Sequence, residues 1–309
     1  MIRPALVALF LAPALAGLPV RAATVYVASQ QGAQVTRLEA GTVAGHATVA
    51  GAPATVATGG GSVFLSHPDG RTITVADAAT GAVLRRLPYK GQGFGLAASA
   101  DGRTLFVADW SGNRVDRLSA ADGTVEASAE TGRDPAHIAL DRAGRLYVAD
   151  RESHQVSVFD GARMTRLATI PVGTAPFALA LSPDERRLYV GNVRSNDLTA
   201  IDTAALEALA TRPAGRSPYG VAVHGERILV TNQESASVSV LDADLAITAT
   251  IPVGRYPEGI AVEGARAYVA NWFSDDVSVI DLAQMHEVAR RKVPGGPRAA
   301  VALPAGAGR

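Results

Sequence analysis

The feature that most restricts how this chain can fold is a short alternating segment that returns seven times. VYVAS (Val25–Ser29), VFLS (Val63–Ser66), LFVAD (Leu105–Asp109), LYVAD (Leu146–Asp150), LYVGN (Leu188–Asn192), ILVTN (Ile228–Asn232) and AYVAN (Ala267–Asn271) share one pattern. Their second residues, Tyr26, Phe64, Phe106, Tyr147, Tyr189, Leu229 and Tyr268, are separated by 38, 42, 41, 42, 40 and 39 residues. A steady period of about 40 residues is that of a β-propeller blade, because each repeat is one small sheet that cannot bury its faces alone.

Each repeat carries further landmarks. A polar stretch leads into a second alternating run such as QVSVFD (Gln155–Asp160), SVSVLD (Ser237–Asp242) or DVSVID (Asp276–Asp281), and period-2 alternation reads as a half-buried strand. A third strand follows. Then comes a Gly-x-x-Pro turn at Gly132/Pro135, Gly173/Pro176, Gly215/Pro218 and Gly254/Pro257, shortened at Gly51/Pro53 and Gly296/Pro297. The second repeat departs, with Gly93 standing where Pro is expected in GQGFG (Gly91–Gly95). A fourth strand such as ALAL (Ala178–Leu181) or GIAV (Gly259–Val262) returns through a tight turn to the next repeat. Four strands in seven units, without helical periodicity, predict an all-β, seven-bladed propeller with four-stranded blades. Lettering the strands A to D from the axis outward makes the recurring segment strand B. The first repeat then lacks a strand A, and RAAVAL (Arg298–Leu303) is expected to supply it and close the ring.

LYVAD, LYVGN and AYVAN, with ATIPVGTAPFALALSPDERR (Ala168–Arg187) and ATIPVGRYPEGIAV (Ala249–Val262), resemble the YVTN-type repeats of bacterial and archaeal β-propeller proteins. The resemblance spans residues 24–303 and implies an exported, often periplasmic, propeller with no shared catalytic motif. More distant proteins of the same architecture include lactonases and large subunits of quinone or haem d1 oxidoreductases, so fold alone does not assign activity.

The N-terminus fits export. Residues 1–22, MIRPALVALFLAPALAGLPVRA, place Arg3 before an apolar core and Val20-Arg21-Ala22 before a cleavage point, the pattern of a secretory signal peptide. A membrane anchor fits less well, since Pro4, Pro13, Gly17 and Pro19 interrupt a run that must hold about 20 apolar residues to span a bilayer. Residues 23–309 are read as one domain, periplasmic or secreted, and a monomer. The absence of cysteine excludes disulfides, thiolate metal sites and cysteine nucleophiles. With 29 basic and 29 acidic residues the net charge is zero, so no overall field draws the chain to nucleic acid.

Strand direction alternates, so the D–A turns and B–C loops emerge on one face of the ring. Two positions on that face vary while the framework repeats. The residue after strand B is Gln30, His67, Trp110, Arg151, Val193, Gln233 or Trp272, and the residue after the turn is Ala54, Phe94, Ala136, Phe177, Tyr219, Glu258 or Arg298. Diversity on a constant frame is what an asymmetric binding surface requires, and aromatics with arginines are its usual anchors. Arg133, Arg216 and Arg255 in the turns GRDP, GRSP and GRYP join Arg151, Arg194 and Arg298 there, although Asp134, Glu152, Glu234, Glu258, Asp275 and Asp276 in the same loops could neutralise them. The ring Asp77, Asp160, Asp202, Asp242 and Asp281 reads as turn residues rather than a carboxylate site.

An enzyme of lactonase type would gather acids, Asn or His on an axial cation. Only His137 and Glu258 approach the start of strand A, at opposite parities. No nucleophile motif, phosphate loop or haem-attachment pair is present. The reading is therefore a non-catalytic binding or scaffold module, without cofactor or metal, that contacts a protein partner or an anionic ligand through this face. The alternatives are a lactonase-type hydrolase or a subunit of a periplasmic oxidoreductase, and, third, nucleic-acid binding should the arginines stand unneutralised.

Overall fold

A computed structural model describes residues 24–303, so the signal-peptide reading of residues 1–22 lies outside the described part. Those residues form seven four-stranded antiparallel sheets. Blade one is β1 (Thr24–Ser29), β2 (Gln34–Glu39) and β3 (Thr42–Thr48), completed by β28 (Pro297–Ala302). Blade two is β4 (Thr55–Gly59), β5 (Ser62–His67), β6 (Thr72–Asp77) and β7 (Val83–Pro88); blade three is β8 (Gly93–Ala98), β9 (Thr104–Asp109), β10 (Arg114–Ser119) and β11 (Val125–Glu130). Blade four is β12 (Pro135–Leu140), β13 (Arg145–Asp150), β14 (Gln155–Asp160) and β15 (Thr165–Pro171). Blade five is β16 (Pro176–Leu181), β17 (Arg187–Asn192), β18 (Asp197–Asp202) and β19 (Glu207–Pro213). Blade six is β20 (Pro218–His224), β21 (Arg227–Asn232), β22 (Ser237–Leu241) and β23 (Ile247–Pro252), and blade seven is β24 (Pro257–Glu263), β25 (Arg266–Asn271), β26 (Asp276–Asp281) and β27 (His286–Lys292). Among the described residues no helix is long and apolar enough to cross a membrane.

The first and last described strands meet as the sequence predicts. β28 pairs antiparallel with β1, Val25 opposite Ala302 and Val27 opposite Ala300, and the Leu303 N–H donates to the Thr24 carbonyl at 3.0 Å. Each sheet is buried on both faces, and seven apolar clusters fill the seven seams. The second residue of every strand B lies in the seam toward the next blade: Tyr26 packs with Val56 and Val63, Tyr147 with Leu179 and Leu188, Tyr268 with Val25 and Val27. That packing explains why this position is aromatic in six repeats and leucine, Leu229, in the other.

A second repeated contact ties the loops to the frame. In blades four to seven the residue ending strand B is joined to a hydroxyl seven positions on: Asp150 to Ser157 at 2.5 Å, Asn192 to Thr199 at 2.9 Å, Asn232 to Ser239 at 2.9 Å and Asn271 to Ser278 at 2.9 Å. The turn glycine makes room for it. A Cβ on Gly254 would stand 2.5 Å from Asn271 Cγ, and one on Gly132 2.7 Å from Asp150 Cβ. Blade two uses His67 in this slot rather than in the position after strand B expected from the sequence, which Pro68 fills; His67 is bonded to Thr74 at 2.8 Å, and burial pushes its imidazole down to about 4, helped by Arg86. Gly93 has its own cause: a Cβ there would lie 2.6 Å from Val107 Cγ1 and 3.0 Å from the Tyr89 ring. The aspartates ending strand C are turn residues, as read from sequence; Asp202 Oδ1 accepts the N–H groups of Ala204 at 2.8 Å and Ala205 at 2.9 Å.

Candidate functional site

The Gly-x-x-Pro turns deliver strand A to its partner with a shift of register. In β12, β16, β20 and β24 the ladder skips just after the proline, between Pro135 and Ile138, Pro176 and Ala178, Pro218 and Val221, and Pro257 and Ile260. Such a bulge re-aims side chains. It turns the residue after the proline toward the axis at the loop face, where the described residues line a cavity of about 850 Å³.

Seven of the twelve residues predicted from sequence line that cavity: Phe94, Trp110, Arg151, Phe177, Tyr219, Glu258 and Arg298. Four of them form a continuous aromatic arc across blades three, five and six. Ring centroids are 5.3 Å apart for Trp110 and Phe94, 5.6 Å for Phe94 and Phe177, and 4.1 Å for Phe177 and Tyr219. Edge-to-face and tilted pairs of this kind hold one another in position. Arg151 lies over the outer end of the arc, 5.8 Å from the Trp110 ring.

Arg298 stands at the centre, on the closing strand β28. Its guanidinium lies 5.0 Å from the Phe94 ring and 5.6 Å from Trp272, so that Trp272 belongs to the site through Arg298 rather than as a wall. In its own plane, Nη1 donates to Gln30 Oε1 at 2.8 Å and Nη2 to the Tyr219 hydroxyl at 2.8 Å. Glu258, only 5% exposed, approaches with Oε2 at 3.5 Å from Arg298 Nε, and Gln233 Nε2 donates to its other oxygen at 3.1 Å. Neither Glu258 Oε2 nor Arg298 Nε has a hydrogen-bond partner of good geometry. Burial pushes the Glu258 carboxyl up to about 7, against the pull of Arg298 and of the bond from Gln233. The Tyr219 hydroxyl is pushed up as well, by burial first and then by Glu258.

His137 goes elsewhere. It lines a narrower channel of about 340 Å³ along the axis, with Thr55, Leu96 and Val301, and its Nδ1 accepts the Leu179 N–H at 3.4 Å. Removal from water pushes it down to about 4. Phe94, Phe177, Tyr219 and Arg298 border both spaces and form the partition between them. His137 and Glu258 therefore face different spaces, as their parity foretold, and among the described residues no group of three or more His, Asp or Glu side chains gathers as a metal site.

The rim arginines are more fully matched than their number suggests. Glu152 takes both Arg151 at 2.7 Å and Arg194 at 2.9 Å, and the bond from Arg194 holds its carboxyl below the usual range. Arg216 pairs with Glu234 at 2.7 Å. Arg133 and Arg255 are exposed and donate to main-chain carbonyls, of Glu152 at 2.8 Å and Phe273 at 2.7 Å. The face is thus a patchwork: Arg151, Arg194 and Arg216 are paired with acids, while Arg133 and Arg255 are held by carbonyl oxygens. Gln92, Pro68 and Asp69, which no repeat pattern in the sequence marks as site residues, also line the cavity. They lie in turns whose composition marks them only as loops.

Comparison with known proteins supports the fold. The NHL repeat profile matches residues 133–159, which correspond to most of the first three strands of blade four. No curated protein matches the sequence. Hydrazine synthase of Kuenenia stuttgartiensis is similar in structure with a TM-score of 0.71 and 20% identity, over 80% of this chain and 88% of that one. A functionally unknown protein of Desulfotomaculum acetoxidans DSM 771 is similar with a TM-score of 0.79 and 12% identity, over 91% of this chain and 98% of that one. At these identities the likeness extends to the fold; the chain is a β-propeller repeat protein.

Proposed function

We propose that this propeller is an exported, non-catalytic binding module of the YVTN-repeat type, acting in the periplasm or outside the cell as a monomer after removal of residues 1–22. Its D–A and B–C loop face receives the ligand or partner. The observation that carries this reading is the cavity at the axial mouth, where one of the two positions that vary from blade to blade supplies Phe94, Phe177, Tyr219, Glu258 and Arg298. A merely structural plug has no need of an arginine set over two aromatic rings beside a buried acid; recognition surfaces are built from such groups.

The test is retention from an extracytoplasmic extract, with the chain from Ala23 as bait and Trp110→Ala/Trp272→Ala as control, both proteins and small molecules being identified by mass spectrometry. Material held by the first and lost by the second is expected. Equal retention by both, or none by either, contradicts the reading.

A further inference from the structure

The chemistry inside the mouth narrows what it can bind. Arg298 has five N–H groups, and the two it spends on Gln30 and Tyr219 go to neutral oxygens. The one carboxylate beside it, Glu258, is held at 3.5 Å without a proper hydrogen bond. A guanidinium so placed keeps donors and positive charge for a second anion, and it lies over the rings of both Phe94, at 5.0 Å, and Trp272, at 5.6 Å. Next to it the arc of Phe94, Phe177 and Tyr219 offers ring faces and edges to a flat apolar group.

Two carboxylates on one buried guanidinium cannot both remain charged at low cost. The other charged and titratable groups around Glu258 do not relieve that conflict. Tyr219 and Tyr256 are neutral, Glu234 is engaged by Arg216, and Arg151 and Arg194 share Glu152 across the cavity. Asp69 is a further acidic residue among those that line the cavity.

Resting on the assignment of the mouth as the binding site, we propose that its ligand is an aromatic carboxylate, ring against Phe94, Phe177 and Tyr219 and carboxylate on Arg298, and that Glu258 takes up one proton from solvent as the ligand enters. The proton neutralises the resident acid, so the anion of the ligand replaces that of Glu258 on the same arginine. Glu258 lies close enough to its midpoint at neutral pH for this exchange to occur under ordinary conditions.

The chain has two tryptophans, Trp110 and Trp272, and both are in contact with this site, so their fluorescence reports its occupancy. The probe is benzoate, titrated at millimolar concentration at pH 7, 8 and 9, with benzamide and benzylamine as uncharged and cationic controls. The Kd for benzoate is expected to rise about fivefold from pH 7 to pH 8 and about tenfold from pH 8 to pH 9. Calorimetry in phosphate and in Tris should show uptake of up to one proton per benzoate. Glu258→Gln should bind benzoate at every pH as tightly as the native protein does below pH 7. The double variant Arg298→Gln/Glu258→Gln, which leaves no unpaired buried charge, should fold and fail to bind. Equal binding of benzamide, tighter binding of benzylamine, or a pH slope unchanged in Glu258→Gln overturns the proposal. Absence of benzoate binding also overturns it, while tryptophan-dependent retention of other material from the extract would leave the mouth as the binding site.

Discussion

Replacing Glu258 by Gln should make the protein more stable at pH 8 than the native chain, relative to their difference at pH 5. The side chain is 5% exposed, and burial raises its carboxyl from 4.5 to about 7 in the folded protein. A folded state that holds a proton more tightly than the unfolded chain is favoured while that proton is bound. The stabilisation is therefore present below the unfolded value and is lost as pH rises through the folded one. With each pKa unit worth about 1.4 kcal/mol, the native protein should lose about 2.5 kcal/mol between pH 5 and pH 8, most of it before pH 7. Gln keeps the shape and the bond from Gln233 but carries no proton to lose. Urea unfolding of the two proteins at pH 5, 6, 7 and 8 measures the difference directly, and a change of that size moves the midpoint by about 1 M. Every other titrating group, His67 and His137 included, cancels in the comparison. Parallel stability profiles would show that Glu258 is ionised in the folded state as readily as in water, and the account of the buried pair would fail.

Three further outcomes follow from the same structure. His67→Asn places in blade two the residue that blades five, six and seven use at the same slot, so it should fold and lose about 3 kcal/mol less stability than the native chain as pH falls from 6.5 to 4, because the buried imidazole must otherwise charge; equal acid sensitivity in urea titrations counts against this. Removal of residues 297–309 strips β1 of its partner and takes Ala299, Val301 and Leu303 out of one seam and Ala300 and Ala302 out of the next. Calorimetry should then show no cooperative transition, whereas a native-like transition would mean that the ring closes without β28. Trp110→Ala/Trp272→Ala should shift the Tm by no more than about 4 °C, since both rings are half-buried at the loop face and outside the seams; loss of folding in thermal scans would assign them to the frame.

The architecture was legible because it is written seven times. The spacing of Tyr26 through Tyr268 gave the blade count, and the missing strand before Thr24 pointed to Arg298–Leu303 as its substitute. The roles of Asp202 and Asn271 were also legible, being local: a turn and a contact seven residues away. What could not be read was which side chains meet across the mouth. Arg298, Glu258, Tyr219 and Gln30 come from four distant points of the chain and are joined only when the ring closes. Arg194 finds Glu152 42 residues back rather than an acid in its own loop, and nothing in either loop's sequence selects that partner. The bulge after each turn proline decides that Glu258 faces the mouth while His137 faces the channel; parity suggested their separation, but not which cavity each would line.

The most direct test of the mouth as the binding site is photocrosslinking from two engineered positions. A benzophenone amino acid replaces Phe273, exposed on the loop face, or Leu209, exposed on the outer strand β19 of blade five. Offered the same extracytoplasmic extract, the protein is predicted to crosslink its partner or ligand from position 273 and not from position 209. Capture from position 209 alone would place binding on the outer edge of the blades and contradict the account.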